Sequence, residues 1–144
     1  MRIPVRIGLS VVTALLVCSS AFAAGASKDL EKTAQVKAYR ALLKTVDAGD
    51  YEAYKKGMAA ETAKGMDQQM KDAGIDAKKG MEFLKAMSPT ELKFTSLKLD
   101  GRKATLEATG KVGGEINYGT IEMVDEDGQW KVVRQSWTNK KSAE

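Results

Sequence analysis

The most constraining feature of this sequence is a pair of β-forming runs joined by an acidic turn near its carboxyl end. The runs are Ile116 to Val124 and Trp130 to Trp137, with DEDG at 125–128 between them. Two such runs around a Gly-ended turn predict an antiparallel β-hairpin. Strict alternation along the second run predicts one tryptophan on each face. Because a two-stranded hairpin is not stable alone in water, we expect more strands beside it and helices on one face.

The residues upstream supply the helices. Apolar residues recur every three or four positions from Leu30 to Ala48, which predicts an amphipathic helix. Gly49 is expected to end this helix as a C-terminal cap, and Asp50 to cap the next one. The helical pattern continues as far as Met87, and the number of helices in this second segment is left open.

The apolar period changes from three or four to two near residue 90, and four strands are predicted, at 92–99, 104–108, 116–124 and 130–138. Helices that precede strands along the chain are typical of the α+β class. The sequence therefore predicts N-terminal helices packed on a curved antiparallel sheet of four or more strands. Neither a central linker nor an internal repeat is found in the sequence, so residues 24–144 are expected to form a single domain.

The first residues have the parts of a secretory signal peptide. Arg2 and Arg6 precede a short apolar run at residues 7–17, and small residues ending at Ala23 follow it. We predict cleavage near Ala23, which places the mature protein in the periplasm or outside the cell. The alternative is a lipoprotein acylated at Cys18, although Val17 stands where such a signal usually has a small residue.

Composition excludes several classes of function. The chain has no histidine, and its single cysteine, Cys18, lies in the leader. Catalysis by Ser/His or Cys/His pairs and zinc sites of imidazole and thiolate are therefore excluded from the mature protein. Loss of Arg2 and Arg6 with the leader lowers the net charge from +4 to +2, which is not typical of a nucleic-acid-binding domain. We also expect no transmembrane span in the mature chain, because the apolar run is short.

Two short patterns resemble a known superfamily. The first is KAYRALL at residues 37–43 followed by AGDYE at 48–52, and the second is DGQWKVV at 127–133 followed by Ser136-Trp137. In these patterns and in the order of its elements the chain resembles small exported members of the nuclear transport factor 2-like superfamily, which includes the cystatin-like and ketosteroid-isomerase-like cone folds. The resemblance implies a cone-like sheet with a pocket at its open end. It implies no single activity, because that fold hosts enzymes, binding proteins and assembly domains.

Two kinds of chemistry are weighed against structural roles. An isomerase-like or dehydratase-like site would need a buried carboxyl group, Asp47 or Glu122, beside Tyr54 or Tyr118 as a hydrogen-bond donor. A copper(I) site would need several thioethers, and only Met66 and Met70 have the one-turn spacing for it. Flexible filling of the core is the preferred account of the methionines. We accordingly expect no catalytic residue, no metal and no cofactor.

The leading interpretation is an exported, non-enzymatic binding or interaction protein. Its partner would be a small apolar or amphipathic ligand, or another protein, held on the concave face of the sheet. The residues predicted to line that face are Tyr54, Met58, Phe83, Tyr118, Met123 and Trp137. The alternatives are the cone-fold enzyme described above and a module that forms a homodimer through the open sheet face.

Overall fold

The computed structural model of the protein describes residues 27–141, so the predicted signal peptide at 1–23 and the predicted acylation site Cys18 lie outside the described residues. Five helices precede four strands in the described part. The helices are α1 (Ser27–Leu30), α2 (Ala34–Ala48), α3 (Tyr51–Gly57), α4 (Ala60–Ala73) and α5 (Ala77–Met87), and the strands are β1 (Thr90–Asp100), β2 (Lys103–Val112), β3 (Glu115–Glu126) and β4 (Gln129–Thr138).

Side-chain caps set the limits of the central helix. The hydroxyl of Thr33 accepts a hydrogen bond from the Val36 amide at 3.3 Å, so the helix predicted from Leu30 is divided and α2 begins after Thr33. At its other end Gly49 adopts the left-handed conformation, with φ of +69°. Asp50 then caps α3 by accepting from Ala53 at 3.0 Å. The predicted caps at Gly49 and Asp50 are confirmed.

The chain leaves the helical conformation at Met58 and Ala59, which separates α3 from α4. The Ala59 amide donates to the Val132 carbonyl at 2.7 Å, and Met58 forms an isolated parallel bridge with the same residue. These two residues therefore cover part of the free edge of β4, which would otherwise expose unpaired backbone groups. The segment between Tyr51 and Met87, whose helix count the sequence left open, contains three helices.

The four strands form one antiparallel sheet in the order β1-β2-β3-β4. All four predicted strands are confirmed. The predicted hairpin closes through Asp127 and Gly128, which have positive φ angles of 54° and 79°. Two consecutive residues of positive φ are typical of the tight turns that join antiparallel strands. Helices packed with this sheet confirm the α+β class; the sheet is not closed, and its cone-like shape stays a prediction.

The core lies between the helices and one face of the sheet, which we call the inner face; the opposite face is the outer face. The largest fully buried side chains come from both layers. They are Val36 and Tyr39 from α2, and Phe94, Leu106, Ile121, Met123 and Val132 from the four strands. Burial of such side chains is the main source of stability for a fold of this kind.

A β-bulge in β4 overturns the prediction that the two tryptophans face opposite ways. Met123 pairs with Val132 while the preceding Glu122 pairs with Arg134, so β4 contains one extra residue at this point. The extra residue reverses the alternation for the rest of the strand. Trp130 and Trp137 therefore both lie on the inner face, where they pack against the core.

No helix within residues 27–141 has the length and apolar character needed to cross a membrane.

Candidate functional site

Four side chains with hydrogen-bonding groups meet at the inner face, and we call them the Gln135 cluster: Tyr39, Tyr54, Gln135 and Trp137. The Gln135 side-chain oxygen accepts a hydrogen bond from the Tyr39 hydroxyl at 2.5 Å and a longer one from the Trp137 indole N–H at 3.4 Å. Because residues two apart on a strand share a face, β4 presents Gln135 and Trp137 together to the helices. Helix α2 supplies Tyr39 and helix α3 supplies Tyr54.

Burial strengthens the preference of the two tyrosines for their neutral form. The Tyr39 side chain is inaccessible to solvent, and this raises the pKa of its hydroxyl far above its ordinary value. Burial also raises the pKa of Tyr54, and the nearby Gln135 side chain partly opposes that shift. Both hydroxyls are therefore neutral near pH 7, where each is able to donate one hydrogen bond and accept others.

Two glycines make room for Trp137. A Cβ atom at Gly119, its partner on β3, would lie 2.5–2.6 Å from three atoms of the indole ring. At Gly110 an added Cβ would lie 3.4 Å from the ring and 2.9 Å from the Pro89 Cβ atom. The indole therefore lies directly on the backbone of β3, a close approach that glycine allows.

Four of the six residues predicted to bind a ligand lie at the same helix–sheet interface. Tyr54, Met58 and Met123 are buried in the core, and Trp137 is half-buried beside it. The three buried side chains fill the interface together with residues of the helices.

The other two predicted residues lie elsewhere. Phe83 projects from α5 with 67% of its surface exposed. Tyr118 pairs with Thr109 and Thr138, and alternation along β3 places it on the outer face, opposite to Gly119 and Ile121. The structure therefore does not bring Phe83 and Tyr118 together with the other four residues.

The outer face is polar, and none of the helices in residues 27–141 packs on it. Arg134 donates to Glu122 at 2.8 Å, and Ser96 donates to Glu107 at 2.8 Å. A shallow concavity of about 260 Å³ opens on this face. It is lined by Thr120, Glu122, Arg134 and Ser136.

A second concavity, of about 370 Å³, lies between the end of α2 and the start of α5. Its lining mixes charged and apolar side chains: Val46, Asp47, Ala48, Gly49, Ala77, Lys78, Met81, Glu82 and Lys85. Neither concavity contains a member of the Gln135 cluster.

The carboxyl groups considered for an isomerase-like site are not brought to a buried tyrosine. Glu122 lies on the outer face, where the Arg134 guanidinium lowers its pKa. Tyr118 is four residues away on the same strand, a separation of about 13 Å at the usual rise of a β-strand. Asp47 is exposed near the end of α2. Within residues 27–141 there is also no group of three or more acidic side chains placed to hold a metal ion.

Sequence reasoning missed two members of the cluster, Tyr39 and Gln135. Tyr39 lies on the apolar stripe of α2 and gives no local sign of a polar partner 96 residues away. The predicted alternation placed Gln135 and Trp137 on one face, but it assigned Trp130 and Val132 to the other, because no bulge was expected. The available signal was that strict alternation placed Gln135 on the same face as the apolar Val133 and Trp137.

Comparisons with protein-family models, with curated proteins and with solved structures found no match to this chain.

Proposed function

We propose that this chain is an exported, non-enzymatic protein that binds a small amphipathic ligand between its helices and the inner face of its sheet. The observation that supports this proposal is the Gln135 cluster. Its hydroxyl, amide and indole groups lie at the edge of an otherwise apolar core, with Gln135 and Trp137 half-buried and the two tyrosines buried. A few convergent polar groups in apolar surroundings are typical of sites for small molecules.

The chemistry of the cluster suits a ligand with one polar end. A ligand carbonyl, hydroxyl or carboxylate would form hydrogen bonds with the Gln135 side-chain amide, beside the Tyr39 hydroxyl and the Trp137 indole N–H that now donate to it. Its apolar part would lie against Met58 and Met123, whose flexible thioether side chains adapt readily to a new neighbour. The resemblance to the nuclear transport factor 2-like superfamily, in which the cone commonly holds a pocket, favours the same interface.

Binding of a dansyl-labelled fatty acid to purified mature protein tests the proposal. We expect saturable enhancement of dansyl fluorescence with quenching of Trp137. Gln135→Leu should weaken binding about tenfold, which corresponds to the loss of about one buried hydrogen bond. Ser136→Ala is the matched control, because Ser136 is the next residue of β4 and lies on the outer face.

The proposal fails if the wild-type protein does not bind the probe. It also fails if Gln135→Leu, folded by circular dichroism, binds the probe as tightly as Ser136→Ala does. In a second experiment, mature protein is incubated with lipid extracts and the molecules that remain bound are identified by mass spectrometry.

A second candidate function is self-association through the outer face. It is favoured by the absence of any helix on that face within residues 27–141, and by its mixture of acidic and basic side chains. Glu107 and Glu122 lie near Lys98 and Arg134 in the pairing register, so a two-fold related copy could place opposite charges together. Sedimentation velocity should then reveal a dimer, and Thr120→Arg at the centre of the face should dissociate it. A monomer at high concentration would exclude this candidate.

A further inference from the structure

Helix α4 is attached to the protein more weakly than its length suggests. None of its 14 residues is buried, whereas α2 buries five of 15. Only one apolar stripe of α4 faces the rest of the protein. It is formed by Ala63, Met66 and Met70, and each of these is half-buried. Since most of the stability of a protein helix comes from its packed face, α4 has little to hold it in place.

Polar contacts supply the rest of the attachment. The Thr62 hydroxyl donates to the Val133 carbonyl at 2.9 Å, which ties the first turn of α4 to β4. In the middle of the helix Asp67 accepts from the Tyr51 hydroxyl at 2.8 Å and from the Lys55 ammonium at 3.2 Å. The Asp67 contacts are exposed to water, so each contributes little stability on its own.

The N-terminal end of α4 is fixed to the sheet, whereas its C-terminal end is able to change direction. Ala59 occupies the N-cap position and provides no side-chain hydrogen bond. The Glu126 carboxylate instead reaches across from β3 to accept from the Ala60 amide at 3.0 Å. At the other end Gly74 has a φ of +64°, which permits a sharp change of chain direction before α5. Segments with few buried contacts between such ends commonly open as units well before the whole protein unfolds.

We propose that α4 is a hinged cover that opens as one unit and controls access to the ligand site between the helices and the sheet. This inference rests on the function proposed above.

Opening would uncover part of the interface that the ligand is proposed to occupy. Met66 packs against the buried core, and α4 begins directly after Met58 and Ala59, which are buried against β4. Movement of α4 therefore removes the Met66 side chain from the core and opens a route beside Met58. Met58 lies one turn after Tyr54, so this route leads toward the Gln135 cluster.

Hydrogen exchange measured by mass spectrometry tests the opening without any ligand. Peptides covering α4 should exchange together and much faster than those covering α2 or β3. Asp67→Ala should accelerate exchange of α4 about three- to tenfold, because it removes the ties to Tyr51 and Lys55. Ala59→Ser supplies a cap hydroxyl and should slow that exchange about fivefold. The control is Asp72→Ala, because the Asp72 carboxylate accepts from Gln68 of the same helix and should leave the opening rate unchanged.

Binding of the dansyl-labelled fatty acid to the same variants tests whether α4 controls access to the ligand site. In this proposal only the open form holds the ligand, so the population of the open form sets the apparent affinity when that form is rare, and Asp67→Ala should tighten binding by the factor that it accelerates exchange. Ala59→Ser should weaken binding correspondingly. Exchange of α4 as slow as that of α2, or an affinity unchanged while exchange accelerates, would overturn the inference. Absence of binding in every variant would instead refute the proposed function on which it rests.

Discussion

Replacement of Gln135 by leucine should reveal whether the buried Tyr39 hydroxyl depends on the Gln135 side-chain oxygen as its hydrogen-bond acceptor. Leucine keeps most of the side-chain volume but accepts no hydrogen bond, so a fully buried donor loses the partner now 2.5 Å away. A buried polar group without a partner costs about 1–3 kcal/mol of folding free energy. We expect Gln135→Leu to lower the free energy of unfolding by about that amount.

The double substitution makes this prediction specific. Tyr39→Phe removes only the hydroxyl, and alone it should cost about 0.5–1.5 kcal/mol, the usual net value of one hydrogen bond. In the double variant neither partner remains, and replacing both by apolar groups is close to neutral. The two substitutions should therefore be non-additive. The free energy of unfolding of the double variant should exceed the value predicted from the sum of the two single effects by about 1 kcal/mol or more.

Urea denaturation followed by far-ultraviolet circular dichroism measures these values independently of tryptophan fluorescence, which a change near Trp137 would itself alter. Ser136→Ala on the outer face serves as the control. The reasoning is refuted if Gln135→Leu costs less than about 0.5 kcal/mol, or if the two substitutions are additive within about 0.5 kcal/mol.

Three further predictions follow from the described contacts. Gly119→Ala should destabilise the fold by about 1–3 kcal/mol and shift the emission of Trp137, because the new methyl group overlaps the indole. Stability should decline above pH 10, because burial raises the pKa of the Tyr39 hydroxyl above the ordinary 10.0. Tyr39 then loses its hydroxyl proton at a lower pH in the unfolded chain than in the folded protein, which favours unfolding. Tyr39→Phe should reduce this decline, as measured by denaturation at several pH values. Arg134→Gln should leave the urea midpoint unchanged, since its ion pair with Glu122 lies on the exposed outer face.

Local chemistry explains why much of the fold could be predicted. Gly49 must end α2 and Asp50 can begin α3 whatever surrounds them, because a positive φ and a side-chain cap are properties of one or two residues. The turn at Asp127 and Gly128 was predictable for the same reason. Such signals depend on neighbours in sequence, and these are visible without a structure.

Contacts between distant residues explain what was missed. The bulge in β4 reflects how the strand fits both β3 and the segment at Met58 and Ala59, and none of these contacts is encoded within β4 itself. Its effect is large, since one extra residue reverses the faces of all that follow. The predicted face of Trp130 was wrong for this reason, and the partner of Tyr39 was not foreseen.

A filled interior is compatible with a binding function when the filling is adaptable. Met58, Met66 and Met123 lie in or against the core, and methionine changes rotamer at lower cost than branched or aromatic residues do. A ligand that enters such an interface gains from the transfer of its apolar part out of water, and the displacement of methionine side chains offsets part of that gain. Selectivity among ligands with similar apolar surface would then depend mainly on the polar end at Gln135, which explains why substitution there is the sharpest test of function.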